Sequence, residues 1–181
     1  FSVVRPATIG DGIHYFPIEE QQYFQDFFER SRSTVSATKF IPASGLASRM
    51  FYFLRDFLLQ FNPQNDELEV YLTDARNQEL GYFVKHMERF SFYLLLKEEM
   101  EKTGRTYANK GEFIVHFVQT LLEDPKLGME GMAKALLPIF RKQNGDPTAA
   151  FELQILEALE LFKAPLKAKV HFTIDAEQLS Q

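Results

Sequence analysis

The residues best suited to chemistry lie in two short stretches far apart along the chain. The first is Ala43-Ser44-Gly45-Leu46-Ala47-Ser48, a run of small residues that follows Lys39-Phe40-Ile41-Pro42 and leads into Arg49. A small-residue loop between a strand and a helix is a device for holding an anion. Gly45 can take backbone angles closed to other residues, and its missing side chain lets an anion approach the neighbouring N–H groups. A helix beginning near Ser48 adds unpaired N–H groups and the positive end of its dipole. Arg49, in its first turn, could reach back over a bound phosphate with charged hydrogen bonds. The second stretch is Met132-Ala133-Lys134-Ala135-Leu136-Leu137-Pro138-Ile139, in which Lys134 stands just ahead of an apolar run and offers a point charge to the same phosphates. Each part has a plain alternative, a simple strand-to-helix turn for the loop and a solvated side chain for the lysine. Taken together they describe a phosphate site built from Ser44, Gly45, Leu46, Ala47 and Ser48, with Arg49 and Lys134 as its cations.

These residues need elements to position them. Tyr23, Phe24, Phe27 and Phe28 recur at helical spacing between Ile18 and Arg30, which predicts a helix whose aromatic stripe packs into a core. Lys39-Phe40-Ile41 predicts a short strand that ends at Pro42, which has no N–H for a ladder. Phe51, Leu54, Phe57, Leu58 and Phe61 predict the helix after the loop, closed by Asn62-Pro63. Leu68 to Leu72 reads as a second strand. Ala75 to Thr103 and Glu112 to Glu123 read as helices, with Gly104 and Pro125 as stops. The α/β pattern resumes with a strand-like run from Ala135 to Phe140, a helix from about Thr148 to Phe162, and a strand over Lys169 to Ile174. The expected organisation is an arm and helix over residues 1–37, an α/β unit from 38–74 and 132–181, and a helical insertion over 75–131.

Composition narrows the function classes. A chain of 181 residues fits one domain and can bury ~70% of the surface its unfolded form exposes. With no cysteine, disulfides and thiolate metal sites are excluded, which suits a cytoplasmic location. The net charge of −5 argues against a nucleic-acid partner, because such surfaces concentrate Lys and Arg against phosphates. No apolar run approaches the roughly 20 residues of a membrane helix, so no membrane partner is expected. The chain opens on Phe1 and closes soon after an expected strand, and the natural protein is expected to extend beyond it at both ends.

Phe40-Ile41-Pro42-Ala43-Ser44-Gly45-Leu46-Ala47-Ser48-Arg49-Met50 resembles the nucleotidyltransferase signature, an apolar strand followed by Ala-Ala-Gly-x-Gly-Thr-Arg-Met. Ala133 to Ile139 is similar to its partner, Pro-Lys-x-Leu-Leu-Pro. A closer resemblance is to an uncharacterised bacterial family known only as a domain of unknown function and grouped with glycosyltransferase-A-type folds. Its four ordered motifs correspond here to Arg5 to Gly12, Pro42 to Met50, Lys134 to Leu137 and Val170 to Thr173, and the chain looks like an N-terminal fragment of such a protein. The resemblance implies an incomplete Rossmann-like nucleotidyltransferase unit with a large helical insertion, and a nucleotide or nucleotide sugar as ligand. It implies attack by a phosphate-bearing substrate on the α-phosphorus of a nucleoside triphosphate, with release of pyrophosphate. Gly45 and the amides of Leu46 to Ser48 would cradle the triphosphate, Arg49 would stabilise the departing pyrophosphate, and Lys134 would hold the α-phosphate or the acceptor. Mg2+ is implied as companion, with ligands not identified in this chain.

The chain departs from these patterns at several positions. Ala133 stands for proline, Ala47 for the second glycine, Ile139-Phe140 where the closer family tends to show Phe-His, and Leu153 and Gln154 near a usual Glu-Glu-His. A catalytically degenerate binding or regulatory module is therefore a second reading. A helical interaction module without ligand is a third. Thr8 and Asp11, in the glycine-rich arm, and Glu152 are candidate pocket residues, with a tight turn at Gly10-Asp11-Gly12 as the alternative for the arm. Asp74 and Asp175 follow strand-like segments as metal ligands would, but each also suits a helix cap. His14, His86, His116 and His171 show no zinc-type pairing.

Overall fold

A computed structural model of the chain describes residues 4–43, 45–163 and 167–174. The architecture is mixed α/β, 51% helical with small sheets. The elements in order are β1 (Thr8–Ile9), β2 (Gly12–Ile13), α1 (Ile18–Ser31), β3 (Ser36–Pro42), α2 (Tyr52–Gln60), α3 (Leu68–Tyr71), α4 (Gln78–His86), α5 (Tyr93–Lys102), α6 (Lys110–Glu123), β4 (Phe140–Arg141), β5 (Pro147–Thr148), α7 (Ala150–Leu161) and β6 (Lys167–Thr173). The pairs β1-β2, β3-β6 and β4-β5 each make a two-stranded sheet. The chain divides into two compact units, Phe1–Lys39 with Ala158–His171, and Phe40–Glu157 with Phe172–Gln181.

In the first unit the arm closes on itself. The N–H of Thr8 donates to the carbonyl of Asp11 at 2.8 Å, and that of Asp11 returns to Thr8 at 2.9 Å. Gly10 and Gly12, at φ of 84° and 89°, supply left-handed backbone that a β-carbon would strain. Helix α1 forms where periodicity predicts it, but none of its residues is buried. Tyr23, Phe24, Phe27 and Phe28 are exposed, which corrects the expectation that this stripe packs into a core. The rings of Tyr23, Phe24 and Phe27 meet one another and Phe16 instead, Tyr23 lying 6.4 Å from Phe27 and Phe16 5.5 Å from Phe24. Helical spacing reports that a helix has an apolar face, not that another layer covers it.

The core belongs to the second unit. Helices α2, α4, α5 and α6 contribute Leu54, Phe57, Leu80, Phe83, Leu96, Ile114, Phe117 and Leu121 to one buried cluster. Helix α6 starts with reciprocal caps: the Asn109 side chain accepts from the Glu112 N–H, and the Glu112 carboxylate accepts from the Ala108 N–H, each at 2.9 Å. Gly104, at φ 63°, follows the end of α5 as a left-handed stop. Arg55 of α2 is taken up by Glu123 and Glu130, which raise its already high pKa through hydrogen bonds and tie α2 to the end of α6.

Two expected strands are absent. Leu68 to Leu72 folds as the short helix α3, with Leu68 buried against the core. A five-residue apolar run has no period long enough to separate strand from helix. The stretch from Ala135 to Phe140 also differs from expectation. Lys134–Leu136 is a tight 3-10 turn, and strand structure starts only at Phe140. Pro138 offers no N–H there, so a continuous ladder through the run is denied a donor.

Candidate functional site

The loop after β3 and the segment before β4 are laced together by the backbone. The N–H of Ala47 donates to the Met132 carbonyl at 3.0 Å, and the N–H of Lys134 donates to the Gly45 carbonyl at 2.8 Å. Leu46 and Ala133 face each other between these bonds as an antiparallel bridge. Ala43 is anchored from the other side by donating to the Thr173 carbonyl of β6 at 2.9 Å. Two stretches remote in sequence thereby become one surface.

That surface walls a cavity of about 500 Å3. Gly45 and Lys134 meet on one side, while Phe40, Phe140, Phe151 and Phe172 give it aromatic walls. The Phe151 and Phe172 rings meet at a tilt with centroids 4.5 Å apart, so α7 and β6 hold part of that wall. Ala150, Phe151 and Gln154 face the cavity together because positions one turn apart share a helix face. Lys134 is half-buried, and its ammonium has no carboxylate partner among the described residues.

The expected site residues fall unequally on this geometry. Gly45 lines the cavity, yet its φ is not positive, so freedom from a left-handed strain is not what a glycine supplies here. A β-carbon at Gly45 would rest 3.6 Å from Cδ of Lys134, an ordinary contact with a flexible chain. Gly45→Ala is therefore expected to unfold within about 0.5 kcal/mol of the parent, as surface replacements do. A large loss in a thermal melt would show a backbone constraint instead.

Ala47 is fully buried and its amide is committed to Met132, so it fastens the loop and offers no N–H to a ligand. Leu46 is exposed beside it. Ser48 and Arg49 begin a 3-10 turn that continues into α2, and the amides at such a start have no acceptor within the helix. Arg49 lines a neighbouring concavity with Tyr52 and Glu79, not the one that holds Lys134, and Met50 contributes to both. Ser44 lies outside the described residues, as does Asp175.

Thr8 and Asp11 belong to the first unit, where their backbone groups close the arm and the Asp11 carboxylate pairs with Arg5 at 2.8 Å. Glu152, on the first turn of α7, accepts from the Thr148 hydroxyl at 2.7 Å and pairs with Lys142 at 2.8 Å. The Lys142 ammonium, helped by Thr148, holds the Glu152 carboxyl below the usual range. Its chain neighbours Phe151 and Gln154, rather than Glu152, line the cavity.

Asp74 acts as a cap. Its side chain accepts from the Arg76 N–H at 2.9 Å and pairs with the Arg76 guanidinium at 2.6 Å. The hydrogen bonds from Arg76, side chain first and then backbone, lower its pKa from 3.8 to about 2. A folded pKa depressed in this way adds stability that is fully present above 3.8 and disappears as pH falls through about 2. Asp74→Asn is expected to flatten the acid-side fall of the unfolding midpoint within that window. An unchanged slope would show that the pair carries no linkage. Among the described residues no group of three or more His, Asp or Glu side chains could hold a metal ion. No described helix is long and apolar enough to cross a membrane.

Four aromatic residues and Gln154 went unrecognised at the sequence level. The signal was indirect: Phe40 precedes the loop on its own strand, and Phe140 and Gln154 stand where the chain departs from the resembling family. No curated protein and no solved structure matches the chain. A family model described as "Domain of unknown function (DUF4301)" matches residues 1–181, and the chain belongs to that family.

Proposed function

We propose that the cavity beside Gly45 grips the phosphates of a nucleotide or sugar nucleotide, within a Rossmann-like unit of the nucleotidyltransferase kind. The observation that carries this reading is Lys134, pinned beside the loop by its own N–H and half-buried at the edge of an aromatic-lined cavity without a carboxylate partner among the described residues. A cation in that position is stabilised when an anion arrives, because the charged hydrogen bond then offsets the lost solvation. The aromatic walls suit a base or the apolar face of a sugar.

In the reaction that fits such a site, an acceptor phosphate oxygen bonds to the α-phosphorus while the bond to the pyrophosphate oxygen breaks. Lys134 would neutralise charge on the α-phosphate, and fixed amides would need no reorganisation. The nucleophile is already an anion, so no general base is required. Magnesium would travel with the triphosphate. The described lining residues offer it no carboxylate, and no step here depends on it.

Binding without turnover is a second reading, supported by a specific feature. Phe140, where the resembling family tends to carry histidine, and Gln154, near its usual Glu-Glu-His, both line the cavity. A thermal-unfolding panel of nucleoside triphosphates and nucleotide sugars with MgCl2 tests both. A ligand at about a hundred times its Kd should stabilise by ~2.7 kcal/mol. Stabilisation with pyrophosphate release supports the enzyme, and stabilisation without it supports the binding module. A panel in which nothing raises the midpoint overturns both.

A further inference from the structure

We propose that the second concavity, the one lined by Arg49 and Glu79, binds a free α-amino acid with a large apolar side chain. This site is separate from the nucleotide reading and does not depend on it. The concavity has a volume of about 580 Å3, within the range of small-molecule pockets. Its floor is prebuilt: the Phe83 ring stacks on Phe90 at 5.3 Å and meets Phe53 edge-on at 6.0 Å. Phe83 is itself part of the buried core, so the floor cannot collapse into the space above it. Tyr52 and Tyr82 stand exposed at the rim, and Tyr82 is held against the His86 ring at 4.5 Å.

Two opposite charges share this aromatic setting without neutralising each other. Arg49 comes from the turn before α2 and Glu79 from the first turn of α4, and both line the concavity. Neither forms an ion pair with the other or with any other described residue. This contrasts with Arg55, only six positions further along the same helical segment, which is held by two carboxylates. A guanidinium fits a carboxylate through paired hydrogen bonds, and a carboxylate accepts from an ammonium. An apolar side chain would rest on the aromatic floor. An α-amino acid carries all three groups on one carbon. A polyphosphate is a poor fit, because Glu79 would repel it while Arg49 attracted it.

Titration calorimetry on the whole chain with three probes decides the matter. L-phenylalanine has both charges, 3-phenylpropionate only the carboxylate, and phenethylamine only the ammonium. The zwitterion is expected to bind at least roughly tenfold more tightly than either, since each loses a charged hydrogen bond. Arg49→Ala should bring L-phenylalanine down to the affinity of phenethylamine and abolish binding of 3-phenylpropionate. Glu79→Gln should bring L-phenylalanine down to the affinity of 3-phenylpropionate, with an unfolding midpoint matching the parent. Three probes bound alike, no saturable heat from any of them, or a zwitterion preference that survives Glu79→Gln would each overturn the proposal. The comparison among probes on the unaltered chain stands even if a variant fails to fold.

Discussion

Replacing Lys134 with alanine is expected to weaken binding of the most stabilising nucleotide by roughly tenfold to a hundredfold while leaving the unfolding midpoint unchanged. The size follows from losing a hydrogen bond between charged groups, ~1.5–3 kcal/mol, at ~1.4 kcal/mol per decade of affinity. The neutrality towards folding follows from how Lys134 holds the loop. Its N–H, not its side chain, donates to Gly45, and the flanking bond from Ala47 to Met132 is also backbone. Alanine keeps both bonds. Lys134→Met separates charge from packing, because it retains an unbranched stem against Gly45 and removes the ammonium. Both variants should lose the same affinity if the charge is responsible. If methionine binds like lysine, the side chain only packs. If both variants bind like the parent, the phosphate is not held at this wall. Raising the salt concentration should weaken the parent more than either variant, since only the parent makes the screened contact.

Much of the frame around this site is legible in the residues. The helical stretches that became α1, α2, α6 and α7, and the strand ending at Pro42, follow from period and from proline's missing donor. What failed was whatever needed a partner to decide it. Leu68 to Leu72 is apolar enough for either state, and packing of Leu68 on the core made it helical. The stripe of α1 is amphipathic by spacing, but spacing does not say whether a covering layer exists. The site divides in the same way. That Gly45 and Lys134 meet rests on a backbone bridge between distant segments, which no local period encodes and which only the motif resemblance suggested. Arg49 and Met50 are adjacent, yet successive positions of the 3-10 turn rotate by ~120°, so Arg49 lines one concavity alone while Met50 reaches both. A reading that treats Arg49 as part of the loop misses that rotation.

The larger cost to folding should come from Phe117, buried where the helices meet. Phe117→Ala is expected to destabilise the chain by ~3–5 kcal/mol, the range for removing a fully enclosed aromatic ring. The ring is 0% exposed and touches three others, with centroids 5.6 Å away at Tyr93, 6.2 Å at Phe113 and 6.3 Å at Phe83. Those neighbours come from α5, α6 and α4, so the void cannot close by moving one element alone. Phe83 also forms the floor beneath Arg49 and Glu79. The same substitution should therefore loosen that concavity and leave the loop at Gly45, held by its own backbone bonds, closer to its parent state. Chemical denaturation measures the first effect. Hydrogen exchange separates the second: faster exchange is expected along α4 and α5, while the Ala47 and Lys134 amides keep more of their protection relative to the global free energy. A loss below 1 kcal/mol would mean that the packing around Phe117 relaxes into the cavity, and that the helices are less firmly joined than their ring contacts imply.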